Sequence, residues 1–174
     1  TLTGSQFKIT LLDRQNHHLF QPLLYQVATA SLTAPDIAAP IREILAERSN
    51  VHVFMEEVTS IDLEAHRVHT KTREHLYDYL VIGLGVRTGY FGHPEWEKYA
   101  PGLKSLEDAR HLRHKVLKAV ERAELCEDTE ERQRLLTIVI VGGGPTGVEL
   151  AGAFTELIQR TLRDGFTNVQ PTDL

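Results

Sequence analysis

Three glycines in the run Val141-Gly142-Gly143-Gly144-Pro145-Thr146-Gly147-Val148-Glu149-Leu150 have the spacing G-x-G-x-x-G. An apolar, β-like stretch, residues 136–141, leads into them, and a helical pattern over about 146–162 leads out. Residues of these types in this order can hold a pyrophosphate. The first glycine allows a tight turn out of a strand. The second lets the backbone approach a phosphate with no side chain between, and the third lets the new helix pack close to the sheet. Free N–H groups at the helix start, Thr146 among them, then face the anion. Pro145 has no N–H, but the first helical turn has little use for one.

Two acids stand where such a site would need them. Glu149 is the first charged residue on that helix. It reads either as an acid near a helix's positive end, worth ~0.3–1 kcal/mol, or as a carboxylate facing the cleft. Asp13 closes the strand-like run Lys8-Ile9-Thr10-Leu11-Leu12. It reads either as an ordinary strand-end acid or as the acid that hydrogen-bonds a nucleotide ribose. A complete unit around Asp13 would need a strand, a glycine turn and a helix before it, ~25–30 residues. For the later turn the ribose acid should follow the first glycine by ~20 residues and end the next strand. Asp164 has nearly that spacing, but no strand precedes it, so it is a decoy. The true acid is expected after Leu174, and NAD and NADP are not separable here.

The elements that must position these residues alternate. Residues 7–12 and 51–54 read as buried parallel strands. Residues 14–24 read as a loop carrying specific contacts. Residues 36–48 read as one helix with apolar positions Ile37, Ile41, Ile44 and Leu45, capped by Asp36, with Pro40 tolerated near its first turn. Residues 57–62, 67–72 and 74–77 suggest a small antiparallel meander. Residues 79–82 read as another buried strand, closing on Gly83-Leu84-Gly85. An ordered aromatic loop, 90–103, precedes a long helix over 106–125 with Leu112, Val116, Leu117 and Val120 as its stripe. Residues 129–134 are helical or linking, and 137–141 open the second glycine unit. The expected fold is therefore α/β. It comprises two Rossmann-like dinucleotide-binding units of the FAD/NAD(P)-binding class, both incomplete, with a β-meander insert. The boundary falls near 126–134, giving domains 1–130 and 131–174.

Composition excludes several alternatives. The net charge of −5 argues against nucleic acid, whose phosphates ask for a basic face. A single cysteine, Cys126, rules out an internal disulfide and a CxxC redox pair. Nine histidines are present, but His17 and His18 point apart, His66 and His69 lie in a hairpin, and His111 and His114 lack a third ligand, so no metal site is expected. No apolar run approaches the ~20 residues that span a bilayer. The aromatic clusters Phe20, Tyr25 and Tyr90, Phe91, Trp96, Tyr99 can frame a flat ring system or simply pack loops.

Together these segments resemble the type II NADH:quinone oxidoreductases, single-chain flavoenzymes with two dinucleotide-binding domains. The resemblance is carried by Thr10-Leu11-Leu12-Asp13-Arg14-Gln15-Asn16-His17-His18-Leu19-Phe20-Gln21-Pro22-Leu23-Leu24-Tyr25-Gln26-Val27-Ala28. It continues through Asp36-Ile37-Ala38, Tyr90-Phe91-Gly92, Pro101-Gly102-Leu103-Lys104, Leu106-Glu107-Asp108-Ala109 and the glycine run to Gly152. It covers nearly the whole chain after Gln6, and its first and last stretches are the specific ones.

The resemblance implies FAD and NAD as cofactors. Asp13 would hold the adenosine ribose of FAD, with Arg14 near its adenine or phosphate. Asn16 to Pro22, Gln21 included, would run close to the flavin, and Glu57-Val58 would meet the adenine through backbone groups. Gly142, Gly144, Thr146 and Gly147 would cradle NADH, and Glu149 would sit where nicotinamide meets flavin. The implied reaction is hydride transfer from NADH to FAD, followed by reduction of a membrane quinone. One departure is Gly83-Leu84-Gly85, where the family usually has Ala-Thr-Gly. Gly85 keeps the close approach to FAD, while Leu84 loses a hydroxyl. The other is length: a first FAD turn, the rest of both domains, the quinone site and a C-terminal membrane-binding region are expected outside these residues. The stretch by itself is expected to be inactive and, through exposed edges, prone to self-association. The parent is expected on the inner face of the cell membrane as a peripheral protein. Two other readings stay open, a soluble pyridine-nucleotide flavoprotein reductase with a different acceptor and a non-catalytic nucleotide-binding or interaction module.

Overall fold

A computed structural model describes residues 6–162 and 165–170. Asp164, residues 1–5 and residues 171–174 lie outside the described residues. The chain divides into two compact units that do not follow chain order. The first combines the described residues up to Leu19 with Ala38–Val86, and the second combines Phe20–Ile37 with the described residues from Arg87 onward.

In the first unit, β1 (Ile9–Asp13) lies parallel to β4 (Val51–Met55), with Ile9 opposite Val51 and Asp13 opposite Met55. Both strands fall where the β-branched runs predicted them. The meander is also as expected: β5 (Val58–Asp62), β6 (Arg67–Thr70) and β7 (Glu74–Leu76) pair antiparallel in sequence order. Asp62 builds the first turn by accepting from the amides of Glu64 and Ala65. Val68, buried, anchors the centre of the sheet.

Two expectations fail around Pro40. The loop over 14–24 contains β2 (His17–Leu19), a 3₁₀ turn Gln21–Leu23 and α1 (Leu24–Ala28). The single helix over 36–48 is broken into α2 (Ala34–Ile37) and α3 (Ile41–Ile44), with β3 (Ala38–Pro40) between them, antiparallel to β2. Proline explains the break. It has no N–H to donate, its ring clashes with the preceding helical turn, and it pushes the residue before it toward extended backbone. Pro40 itself is extended, at φ −58° and ψ 127°. Asp36 does not cap a helix that begins at its own position. Its carboxylate reaches back to the amide and hydroxyl of Thr33, both at 2.6 Å, and these bonds hold its pKa below the ordinary carboxylate range.

The second unit is helical. α4 (Leu106–Leu125) begins at a capping box in which Ser105 Oγ accepts from the Asp108 amide and Asp108 Oδ2 accepts from the Ser105 amide. α5 (Thr129–Leu136) is capped by Asp128, and α6 (Pro145–Leu162) follows the glycine turn. α1 packs on α4 and α6, and α4 packs on α5. The core joins Val120 and Ala123 of α4, Leu136 of α5, Ile158 of α6 and Val169. Each fully buried Val, Leu or Ile there contributes about 1.5–3 kcal/mol. The loop before α4 is ordered, as expected: Tyr90 Oη donates to the Ala100 carbonyl, and His93 stacks on Trp96 with ring centroids 4.3 Å apart.

Two expected strands do not form. Residues 79–82 and 137–141 pair with no strand among the described residues. Their apolar side chains stay open, with Val81 93% and Val139 78% exposed. A buried strand needs ladder partners for its backbone on both sides, and sequence pattern signals the strand without supplying the partners.

Candidate nucleotide-binding site

The glycine turn is built by steric necessity. Gly142 has φ +109°, a backbone region open to glycine without strain. A Cβ on Gly147 would stand 2.4 Å from the Gly142 carbonyl oxygen and 3.6 Å from Ile140 Cγ2, so the start of α6 lies directly against the turn. A Cβ on Gly143 or Gly144 would meet nothing within 4 Å. These two residues form an open shelf on which a ligand can approach the backbone. The Gly144 carbonyl accepts from the amides of Gly147 and Val148, closing the first turn of α6. Among the described residues the amides of Gly142, Gly143, Gly144 and Thr146 donate to no protein acceptor. Unpaired donors at a helix's positive end are what an anion requires.

Glu149 is exposed in the second turn of α6, whose first turn carries no acid. The field of the helix end falls off within one turn, so the helix-end reading of Glu149 loses weight. A groove of about 350 Å³ lies elsewhere on this unit, between the end of α5, residues 137–140 and α6. Leu136, Ile140, Phe154 and Ile158 line it, and no residue of the glycine turn does.

The other candidates divide between the units. In the first, Asp13 ends β1, and its Oδ1 accepts from the Gln15 amide at 2.8 Å, which fixes the carboxylate at the strand's carboxyl end. Arg14 and Asn16 follow as exposed residues; Asn16 Oδ1 meets His17 Nδ1 and its carbonyl accepts from Ile41. Val58 opens β5 opposite Thr70. Gly85 has φ +70° with open space around it, and Leu84 beside it is exposed. In the second unit Gln21 and Pro22 form the 3₁₀ turn before α1, and Gln21 Nε2 donates to the Lys104 carbonyl at 3.3 Å. Of the aromatic residues, Phe91 is 94% exposed and Tyr99 71%, while Tyr90 packs its own loop.

Sequence reasoning missed one cluster beside Asp13. The Glu56 amide donates to the Asp13 carbonyl at 2.9 Å. The Glu56 side chain is nearly enclosed and receives Thr70 Oγ1 at 2.7 Å, Arg73 Nε at 2.8 Å and His75 Nε2 at 3.2 Å. The Thr70 hydroxyl does most to hold the Glu56 carboxyl below its ordinary range; His75 and Arg73 add to it, against an opposing cost of burial. Arg73 also lies over the Phe54 ring. The available signal was an acid following a strand with Thr, Arg and His on the next hairpin, a pattern too common to single out.

A family model described as pyridine nucleotide-disulphide oxidoreductase matches residues 1–167. The chain is 46% identical, over 99% of its length, to the type II NADH:quinone oxidoreductase NdhA of Mycobacterium tuberculosis, and 44% identical over 98% to Ndh of the same organism. It spans 37% and 38% of those two relatives, a little over a third of their length. Among solved structures, NDH2 from Plasmodium falciparum in complex with NADH superposes with a TM-score of 0.83 at 29% identity, covering 91% of this chain and 34% of that one. NADH:rubredoxin oxidoreductase from Clostridium acetobutylicum, at 22% identity and a TM-score of 0.62, shares the fold.

Proposed function

The chain belongs to the pyridine nucleotide-disulphide oxidoreductase family, and from that premise we propose that its parent protein is a flavin-dependent NADH:quinone oxidoreductase. The observation that carries this reading is the glycine turn, with its closed Gly142–Gly147 contact and its unpaired amides. The high identity to type II NADH:quinone oxidoreductases supports it.

In this reading Gly142, Gly144, Thr146 and Gly147 receive the pyrophosphate of NADH, through backbone amides and the positive end of α6. Asp13 holds the adenosine ribose of FAD, with its carboxylate aimed by the Gln15 amide. Arg14 lies near the adenine or phosphate, Val58 meets the adenine through its backbone, and Gly85 admits the cofactor closely. Asn16, Gln21 and Pro22 border the flavin, and Glu149 lies near the meeting point of the two rings. A flavin held there would supply the acceptor for the NADH hydride and the relay of its two electrons to a quinone, the quinol's second proton coming from solvent, while the residues named would bind and orient. Residues 1–130 then belong to the FAD domain and 131–174 to the NADH domain. The quinone site and the attachment to the inner face of the membrane belong to residues outside this chain, and the 174-residue stretch alone is inactive. No helix among the described residues is long and apolar enough to cross a membrane.

The test is made on the full-length protein. It should carry the visible absorption of oxidised flavin, and NADH should bleach it. A soluble quinone should then restore it with turnover. A colourless protein would overturn the flavoenzyme reading. A flavoprotein that oxidises NADH but ignores quinones would favour a soluble reductase with another acceptor.

A further inference from the structure

β4 and β5 belong to separate sheets, and only Glu56 and Glu57 join them. Glu56 bonds to both sides of this joint. Its amide donates to the Asp13 carbonyl at 2.9 Å, one residue past the rung that sets Asp13 opposite Met55. Its carboxylate is turned into the β6–β7 hairpin. Oε1 accepts from Arg73 Nε at 2.8 Å, while Oε2 accepts from Thr70 Oγ1 at 2.7 Å and meets His75 Nε2 at 3.2 Å. Thr70 closes the same hairpin, its amide donating to the Arg73 carbonyl and its hydroxyl accepting from the Arg73 amide. Stability alone does not call for a charge here, since replacing a buried ion pair by apolar residues of like volume is often neutral. What a carboxylate with three directed partners adds is a fixed geometry.

We propose that Glu56 is a positioning residue for FAD, holding the Asp13 carboxylate at the angle at which it receives the adenosine ribose. This role rests on the reading of Asp13 as the ribose acid. The Asp13 carboxylate accepts from the Gln15 amide, two residues on, so its direction follows the peptide that joins Asp13 to Arg14. The carbonyl of that peptide is the one that Glu56 holds. With its side chain anchored in the hairpin, the Glu56 amide is fixed in place, and the peptide is fixed with it. Hydrogen bonds weaken steeply as they bend, so a swing of this peptide loses affinity for the ribose while Asp13 itself is intact. Both Glu56 carboxylate oxygens are engaged by the hairpin, so the residue acts through Asp13. All of these groups lie in the first compact unit.

The experiment uses the full-length holoprotein and reads the dissociation constant of FAD from the fluorescence of cofactor released on dilution. Glu56→Gln, Asp13→Ala and the double variant form a cycle. Glutamine keeps the size but turns an N–H donor toward groups that are themselves donors. Glu56→Gln should weaken FAD binding about fivefold with Asp13 present and leave it unchanged in the Asp13→Ala background. Its effect on the thermal midpoint should be the same in both backgrounds. Should Glu56→Gln fail to fold, Arg73→Met removes one partner of the carboxylate at a half-exposed position. It should still weaken FAD binding about threefold, again only with Asp13 present. An unchanged FAD affinity in the folded single variants at Glu56 and Arg73 would overturn the proposal. So would an equal weakening in both backgrounds, the pattern of a residue that only holds the fold. Unchanged FAD affinity in Asp13→Ala alone would instead overturn the ribose reading beneath it.

Discussion

The amide of Glu56 donates to the carbonyl of Asp13 at 2.9 Å, which ties the strand-end acid of β1 to the residue that leads into the meander. Asp13 is therefore fixed twice, through its backbone by Glu56 and through its carboxylate by Gln15. The Thr70, Arg73 and His75 side chains hold Glu56 in turn. The meander thus supports the place where the ribose of FAD is proposed to bind.

Stability should fall in acid. The folded-state pKa values of Glu56, Glu124 and Asp36 are all depressed. A depressed carboxylate contributes stability that is fully present above its unfolded pKa and is lost as pH falls through the lower folded value. Below the ordinary glutamate value of 4.5 the thermal midpoint should therefore drop. Glu56→Gln should lower the midpoint at neutral pH and flatten this decline. Midpoints measured from neutral to acid pH check it; an equally steep decline in the variant would refute the assignment to Glu56.

Replacing Asp13 by alanine should weaken flavin retention. Hydrogen bonds to a charged group are worth about 1.5–3 kcal/mol, so roughly ten- to hundredfold weaker binding is expected. Flavin content after extensive dialysis, at unchanged KM for NADH in the flavin-loaded protein, is the measurement.

Gly147→Ala should separate α6 from the glycine turn, since the new Cβ would have to displace the Gly142 carbonyl. Overpacking of this kind costs about 1–3 kcal/mol. The expected signature is at least tenfold weaker NADH binding with flavin still bound, read by anaerobic titration. Gly143→Ala, which adds a Cβ in open space, should preserve the fold and tell steric exclusion of the ligand from distortion of the turn.

Glu149→Gln separates the two readings of that residue. A carboxylate beside the reacting rings predicts slower flavin reduction at saturating NADH with little change in stability. A helix-end acid predicts unchanged kinetics and a stability change within about 0.3–1 kcal/mol. We expect the first outcome, measured by stopped-flow reduction and thermal melting of one preparation.

Ser105→Ala should cost about 1 kcal/mol through loss of the capping box of α4. The Ser105–Asp108 cap lies beside Lys104, whose carbonyl receives Gln21. A lowered denaturation midpoint with unaltered NADH affinity is expected.

The sequence by itself determined the features that depend on neighbours in the chain. The spacing of Gly142, Gly144 and Gly147 between an apolar run and a helical pattern marked the tight turn that opens α6. The stripe from Leu112 to Val120 marked α4 to its ends, and alternating residues marked the meander. Steric rules act locally, so these could be read directly. Pro40 was legible too, as a residue that cannot sit inside a helix, and treating it as part of a first turn gave one helix where two short ones flank a strand.

Tertiary structure decided what depends on partners distant in the chain. Only packing shows that Glu56 gathers Thr70, Arg73 and His75, and that Glu124 clamps amides forty-three to forty-five residues away. Among the described residues, 79–82 and 137–141 have no ladder partners. A side chain's type limits which bonds it can make, but long-range approach selects the partner, because desolvation and hydrogen bonding are settled by the groups that close around it.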